Sequence, residues 1–260
     1  MQVAIVTGAG SGIGLATAKM LHGMGMAIVG VGRDTGKLAT LAEQIGDATR
    51  LATLSADVTA DDAPARIVAL ALERFGRLDF LVNNAGAGSP KPLHETDDAT
   101  LDYFLDLMLR APFRLCREAI GHMGDGCGIV NVTSTYAVIG GRRGGAYSAA
   151  KGGLTTLTQH IACDYGPKGI RANCVAPGVT MTDMVRHRFE DEMFKRVNVE
   201  TTPYPRLGEV DDIASTIAFL CSPGAAFING QTIVVDGGWT STKYLSPRAL
   251  TTKWIEPDEA

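Results

Sequence analysis

The sequence has no excess of positive charge. It carries 24 lysines and arginines against 28 aspartates and glutamates, for a formal net charge of -4. A chain that neutralises phosphates along a duplex needs the opposite balance, so nucleic acid is not an expected partner. Paired cysteines are lacking too. The five, at Cys116, Cys127, Cys163, Cys174 and Cys221, are odd in number and include no C-x-x-C. They predict reduced thiols in a reducing compartment rather than a disulfide framework. Nowhere do metal ligands cluster at the short spacing zinc requires, so no metal site is expected. No apolar run approaches the length of a bilayer span. The N-terminus has no basic stretch ahead of its first apolar run, which predicts a core strand, not a signal peptide, and a cytoplasmic protein.

What is present is ordinary for a globular protein: 45% hydrophobic and 20% charged residues in a chain of 260. Short β-branched runs alternate with longer helical patterns. Strands are predicted near 3–6, 27–31, 50–55, 79–82, 129–132, 171–176 and 232–235. Helical periodicity covers 13–21, 35–45, 61–75, 98–121, 148–165 and 210–221. Such alternation implies an α/β fold: a doubly wound, Rossmann-like sheet of seven parallel strands with helices on both faces. No composition break divides it, so a single domain over 1–260 is expected. Two stretches escape the alternation, a polar insertion at about 179–208 and a tail at 239–260. The insertion follows a strand, where open α/β sheets place ligands.

Thr7-Gly8-Ala9-Gly10-Ser11-Gly12-Ile13-Gly14 lies between the first strand and the first helix. Glycines there permit a tight turn and a close approach of backbone to a pyrophosphate, and the helix N-terminus attracts the anion. This context is the one a dinucleotide cradle requires. The second strand ends Val31-Gly32-Arg33-Asp34. An NAD-preferring site usually ends that strand with an acid on the ribose hydroxyls. Gly32 holds that place here and Arg33 follows, which suits a 2′-phosphate and favours NADP(H) over NAD(H). Asp34 is the competing ribose ligand if the frame shifts.

Tyr147 and Lys151 stand at i and i+4 on one helix face. An adjacent ammonium, with a positive nicotinamide ring, is expected to lower the phenol's pKa toward neutrality. Ser134, just after the fifth strand, is placed to bind a substrate oxygen beside Tyr147.

Taken in order, the Thr7–Gly14 cradle, Asp57-Val58, Asn83-Asn84-Ala85-Gly86, Ser134, Tyr147 with Lys151, Pro177-Gly178 and Val235-Asp236-Gly237-Gly238 resemble the short-chain dehydrogenase/reductase family. The resemblance runs from about residue 2 to 238. It implies hydride transfer between bound NAD(P) and a carbonyl/secondary alcohol pair. Tyr147 would be the general acid/base, Ser134 would orient the substrate oxygen, and Lys151 would lower the Tyr147 pKa and hold the nicotinamide ribose. Gly8, Ser11, Gly12, Ile13 and Gly14 would bind the cofactor, with Arg33 at the adenosine ribose and Asp57 and Val58 at the adenine. Asn83, Asn84, Ala85 and Gly86 would line its channel and steady the central strand. Pro177, Gly178, Val179 and Thr182 would hold the nicotinamide side. Family members commonly form tetramers, sometimes dimers, through helices that here span about 98–121 and 148–165.

One departure stands out. The family usually places an asparagine in the helix before the fifth strand, anchoring a water that links the lysine to solvent. Alignment puts Met108 there, and a thioether is a poor acceptor and no donor. Arg142, Arg143, Met181, Met184, Arg186, His187, Arg188 and Phe189 are placed to border a substrate pocket, where they suit an anionic group on an apolar body. The tail, with Trp239, Tyr244, Leu245, Leu250, Trp254 and Ile255, is expected to pack over that pocket or a neighbouring subunit. The competing readings are a 3-oxoacyl-thioester reductase and a cofactor-binding regulatory protein in which Met108 marks impaired catalysis.

Overall fold

A computed structural model describes residues 1–88 and 91–248. Val3–Thr7 (β1) is buried at every position, as a strand covered by helices on both faces must be. Ala27–Gly32 (β2), Phe80–Asn83 (β4), Gly128–Val132 (β5) and Arg171–Pro177 (β6) flank it as central strands. Leu51–Ser55 (β3) and Thr232–Val235 (β7) form the edges, and β3 alternates between buried and accessible residues. All seven pair in parallel, in the order β3-β2-β1-β4-β5-β6-β7. The chain winds outward from β1 to β3, then returns to lay β4 against β1. At that reversal the connections leave in opposite directions and open a crevice above the strands' carboxyl ends.

Helices Gly12–Gly23 (α1), Thr35–Ile45 (α2) and Val210–Leu220 (α9) cover one face. Their Leu21, Leu41 and Ile217 pack on Ala4, Val6 and Ile28. Helices Ala63–Phe75 (α3), Ala111–Ile120 (α5) and Gly145–Tyr165 (α6) cover the other. There Ile67, Leu115 and Ile161 meet Val3, Ile5 and Val29. Side chains alternate along each strand, so both faces draw on the same strands.

A polar ladder crosses this apolar layer. The Asn83 amide donates to Asn131 Oδ1 at 2.8 Å, and Asn131 Nδ2 donates to Thr158 Oγ1 at 2.8 Å. Cys174 Sγ donates to the same hydroxyl at 3.1 Å. Buried amides need such partners, and satisfying them aligns β4, β5 and β6 with α6. Asn83 is thus turned into the sheet, where it steadies the central strands; its neighbours Asn84 to Gly86, and not Asn83 itself, line the cleft.

The predicted helix over 98–121 is interrupted. Asp98–Leu105 (α4) gives way to a widened π turn over Asp106–Arg110 before α5 begins. Pro112 supplies the reason. It has no N–H to offer the Met108 carbonyl four residues back, and its ring would strike that oxygen in a regular helix. The polar insertion folds as Asp183–Arg186 (α7), a 3₁₀ turn at His187–Glu190 and Glu192–Val199 (α8). The described start of the tail lies against α8: Trp239 Nε1 donates to Thr201 Oγ1 at 2.8 Å, and the Ser246 N–H to the Glu200 carbonyl at 2.8 Å. Leu245 nevertheless stays 51% exposed. Leu250, Trp254 and Ile255 lie outside the described residues.

Candidate active site

The cradle is built by steric exclusion. Gly8 and Gly12 take φ of 68° and 52°, a region costly for side chains bearing a Cβ. A Cβ on Gly14 would sit 2.2 Å from the Gly8 carbonyl oxygen. The Thr7 hydroxyl accepts from the N–H groups of Asn84 and Ala85, each at 3.0 Å, and Asn84 Nδ2 donates to the Thr7 carbonyl at 2.9 Å. These bonds join the ends of β1 and β4 beneath the loop. Thr182 lies over the cradle, with its Cγ2 3.3 Å from where a Gly12 Cβ would stand. Gly178 is required by a close approach of β6 to the segment after β7: its Cβ would fall 2.7 Å from that of Asp236. Gly14→Ala should therefore force the loop apart, costing about 1–3 kcal/mol or more. We expect a lowered melting temperature and at least a hundredfold weaker dinucleotide binding by calorimetry.

Beyond the cradle, on the β2–β3 side, Arg33 reaches toward Asp57 at 4.0 Å, both side chains being well exposed. Asp57 accepts from the Thr59 N–H and hydroxyl at 2.9 and 2.8 Å, which with Arg33 holds its carboxyl below the usual range. Asp34 caps α2 by accepting from the Lys37 N–H at 3.1 Å. It lies past the strand end rather than at it. A Cβ on Gly32 would make only ordinary contacts, the nearest with Leu38 at 3.6 Å, so that position has room for a side chain.

At the far end of the same cleft, a cavity of about 350 Å³, stand Ser134, Tyr147 and Lys151. Gly8, Ser11, Gly12, Ile13, Asn84, Ala85 and Gly86 line its other part, and Pro177, Gly178, Val179 and Thr182 complete it. Arg33, Asp57, Val58 and Gly14 do not line it. Ser134 stands extended two residues past β5, and its Oγ accepts from the Tyr136 N–H at 3.1 Å. That bond leaves the hydroxyl proton free to be donated. Tyr147 lies in the first turn of α6, which begins at Gly145, three residues before the start that the periodicity predicts. Phe104 and Tyr136 meet its ring edge-on, at centroid distances of 6.3 and 6.5 Å.

The expected lowering of the Tyr147 pKa counts on a bound nicotinamide as well as Lys151; among the protein's own groups, burial pushes the phenol up and the Ser134 hydroxyl opposes this. Lys151 is not among the groups that lower it, because its Nζ donates to the Val132 carbonyl at 2.7 Å. Burial brings the lysine itself down to about 8. Met108 is fully buried beside Phe104, Ala146 and Ala150, and it lines the cleft near Gly86 and Lys151. Among the described residues, no group of three metal-ligating side chains is gathered.

A family model described as enoyl-(acyl carrier protein) reductase matches residues 8–240. Several relatives share more than a third of the sequence across about nine tenths of the chain. The A-factor type gamma-butyrolactone 1′-reductase (1S-forming) of Streptomyces virginiae is 37% identical over 249 residues, covering 92% of this chain and 95% of that protein. The chain belongs to the short-chain dehydrogenase/reductase family. Cis-4-hydroxycyclohexanecarboxylate dehydrogenase of Sinomonas cyclohexanicum is 39% identical over 249 residues, 92% of this chain and 97% of that one. A short-chain dehydrogenase/reductase (glucose/ribitol dehydrogenase) from Brucella melitensis superposes with a TM-score of 0.87 at 37% identity, covering 92% and 96% of the two chains. This short-chain dehydrogenase/reductase is therefore an oxidoreductase of alcohols and ketones, in a family that generally uses NAD(P). The reading as a regulatory protein without turnover is not favoured.

The sequence missed several residues of this short-chain dehydrogenase/reductase's cleft. Tyr136, Gly144, Val185 and Phe194 line it, and only the fold brings them there. Of the cationic insertion and loop residues, Arg188 alone lines the cleft, while Arg142, Arg143, Arg186 and His187 are exposed elsewhere. Trp239 does line it, as expected of the tail, 6.2 Å from Tyr136. Lys37 also escaped notice: its Cβ lies 2.8 Å from where a Gly10 Cβ would stand, so the root of a second cationic side chain borders the cradle. Its position one turn into α2, after the Asp34 cap, was a signal available in the sequence.

Proposed function

We propose that this chain is an NADP(H)-dependent reductase of carbonyl compounds, working reversibly on secondary alcohols, with Tyr147 as general acid/base. The observation that carries the reading is a single cleft lined by both the glycine cradle and Ser134, Tyr147 and Lys151. The cradle suits a pyrophosphate: free helix N–H groups at Gly12 to Gly14, no side chain in the way, and Thr182 opposite. The nicotinamide dinucleotide, when bound, supplies or accepts the hydride. Ser134 donates its hydroxyl proton to the substrate oxygen and holds it beside Tyr147. Tyr147 delivers a proton to the carbonyl oxygen in reduction and removes one from the alcohol in oxidation. Its raised pKa keeps it protonated at neutral pH, the form that reduction needs. Lys151 holds the nicotinamide ribose with its charged Nζ. Gly8, Ser11, Ile13, Asn84, Ala85, Gly86 and Pro177 to Val179 form the remaining walls, and Asp57 with Val58 borders the adenine.

Arg33 and Lys37 favour the 2′-phosphate of NADP(H), while Asp34 is spent on capping a helix. We infer a cytoplasmic dimer or tetramer assembled through α4 to α6, where Tyr103 and Phe113 are 45% and 47% exposed. The cofactor assignment is tested by binding of NADPH and NADH to the wild type, Arg33→Ala and Gly32→Asp. Arg33→Ala should weaken NADPH at least tenfold with little change for NADH, since a charge-assisted fork is lost. Gly32→Asp, whose Cβ makes only ordinary contacts there, should reverse the preference. Equal losses for both nucleotides would retire the NADP assignment.

A further inference from the structure

Resting on that reading, we propose that Arg188 anchors a carboxylate carried by the substrate away from its reacting carbonyl. The cleft is lined by two cationic side chains, Lys151 and Arg188. Lys151 is buried and committed to the Val132 carbonyl. Arg188 is committed to no acid: among the described residues no carboxylate pairs with it. Its guanidinium instead lies 4.2 Å from the centroid of the Phe194 ring. Stacking of this kind uses the face of the planar group and leaves the N–H donors at its edge for a ligand.

The pedestal is fixed. Phe189 meets Phe194 edge-on at 5.1 Å, and the Asp191 carboxylate caps α8 by accepting from the N–H groups of Met193 and Phe194. An arginine held on a packed ring loses less freedom on binding than one swinging in solvent. Tyr136, Val185 and Trp239 add apolar lining to the cleft that holds both this cation and Tyr147, Tyr136 lying 6.5 Å from Tyr147 and 6.2 Å from Trp239. The cleft lining contains a single acid, Asp183, which is exposed and so partly screened by solvent. One planar fork with no second free cation suits a monoanionic carboxylate, not a phosphate dianion. The substrate class that follows is a keto acid or hydroxy acid whose compact apolar body separates the two oxygen functions.

The test compares 4-oxopentanoate, 5-oxohexanoate and 4-oxocyclohexanecarboxylate with their methyl esters, using NADPH and the full-length protein. At least one acid should exceed its ester at least tenfold in kcat/KM, chiefly through KM. Arg188→Gln should bring that acid-to-ester ratio close to one, and Arg188→Lys should retain part of it. Calorimetry on the NADP-loaded protein adds a readout without turnover: cyclohexanecarboxylate should bind more tightly than cyclohexanecarboxamide, and Arg188→Gln should erase the difference. Esters turned over as well as acids would overturn the Arg188 assignment while leaving the reductase reading intact. So would an equal loss for acid and ester in Arg188→Gln, or a rise confined to the KM for NADPH, which would mean the arginine serves packing or a cofactor phosphate. No turnover of any ketone, with no binding of either nucleotide, would sink both.

Discussion

Tyr147→Phe should lower kcat/KM for ketone reduction about a thousandfold, within the range a positioned acid/base group contributes. The change removes one oxygen. The ring would keep its edge contacts with Phe104 and Tyr136, so the melting temperature and dinucleotide affinity should stay near wild type. The pH profile separates loss of the proton donor from a general disturbance. Burial raises the Tyr147 pKa, so at neutral pH the phenol is protonated and competent to reduce. Reduction must then fall as pH rises through that raised value, because the acid is consumed. An earlier step is expected near pH 8, where Lys151 gives up its charge. The phenylalanine variant should lack the later limb and retain the earlier one in whatever residual rate is measurable. Wild-type rates in Tyr147→Phe would refute the acid/base assignment outright.

The direction of that pKa marks a boundary of what sequence reading reaches. Spacing at i and i+4 places Tyr147 and Lys151 on one helix face. It does not say where a flexible lysine ends, and here the end is the Val132 carbonyl, not the phenol. The cradle was legible because its glycines answer a steric demand that no other residue meets. The sheet was legible because strands buried on both faces must be short apolar runs between helices. Its boundaries moved by a residue or two where capping and pairing, rather than hydrophobicity, decide the ends.

The remaining misses share a cause. Arg142, Arg143 and Arg188 look alike as residues flanking a pocket, and only the path of α7 and α8 turns Arg188 inward. Asn83 belongs to a cofactor-channel motif by order, yet its amide is claimed by Asn131 across the sheet. The π turn at Met108 had a visible signal in Pro112, but its consequence depends on the neighbours. Met108 is packed between α4 and α6, so any proton path from Lys151 to solvent must run through other groups.

Lys151→Met should raise stability while removing at least a hundredfold of activity. The wild-type folded state holds this ammonium buried, with a pKa brought from 10.5 to about 8. Near neutral pH that burial costs about 3 kcal/mol relative to the unfolded chain, at about 1.4 kcal/mol per unit. Methionine removes the charge and fits an apolar cavity. It also strips the donor from the Val132 carbonyl, which returns about 1–2 kcal/mol of the gain. The net expectation is about 1–2 kcal/mol at pH 7, or roughly 2–8 °C in melting temperature for a chain of this size. The pH dependence carries the sign. Between about 8 and 10.5 the unfolded wild type still binds a proton that the folded protein has released, so its stability rises with pH across that window. Lys151→Met should lack this rise, so the two melting curves should meet at about pH 9, where the wild-type gain equals the initial gap, and cross above it. A variant that melts below wild type at pH 7 would mean that the bond to Val132 outweighs the burial of the charge. A variant that melts higher and still reduces ketones at the wild-type rate would leave Lys151 without a part in the chemistry.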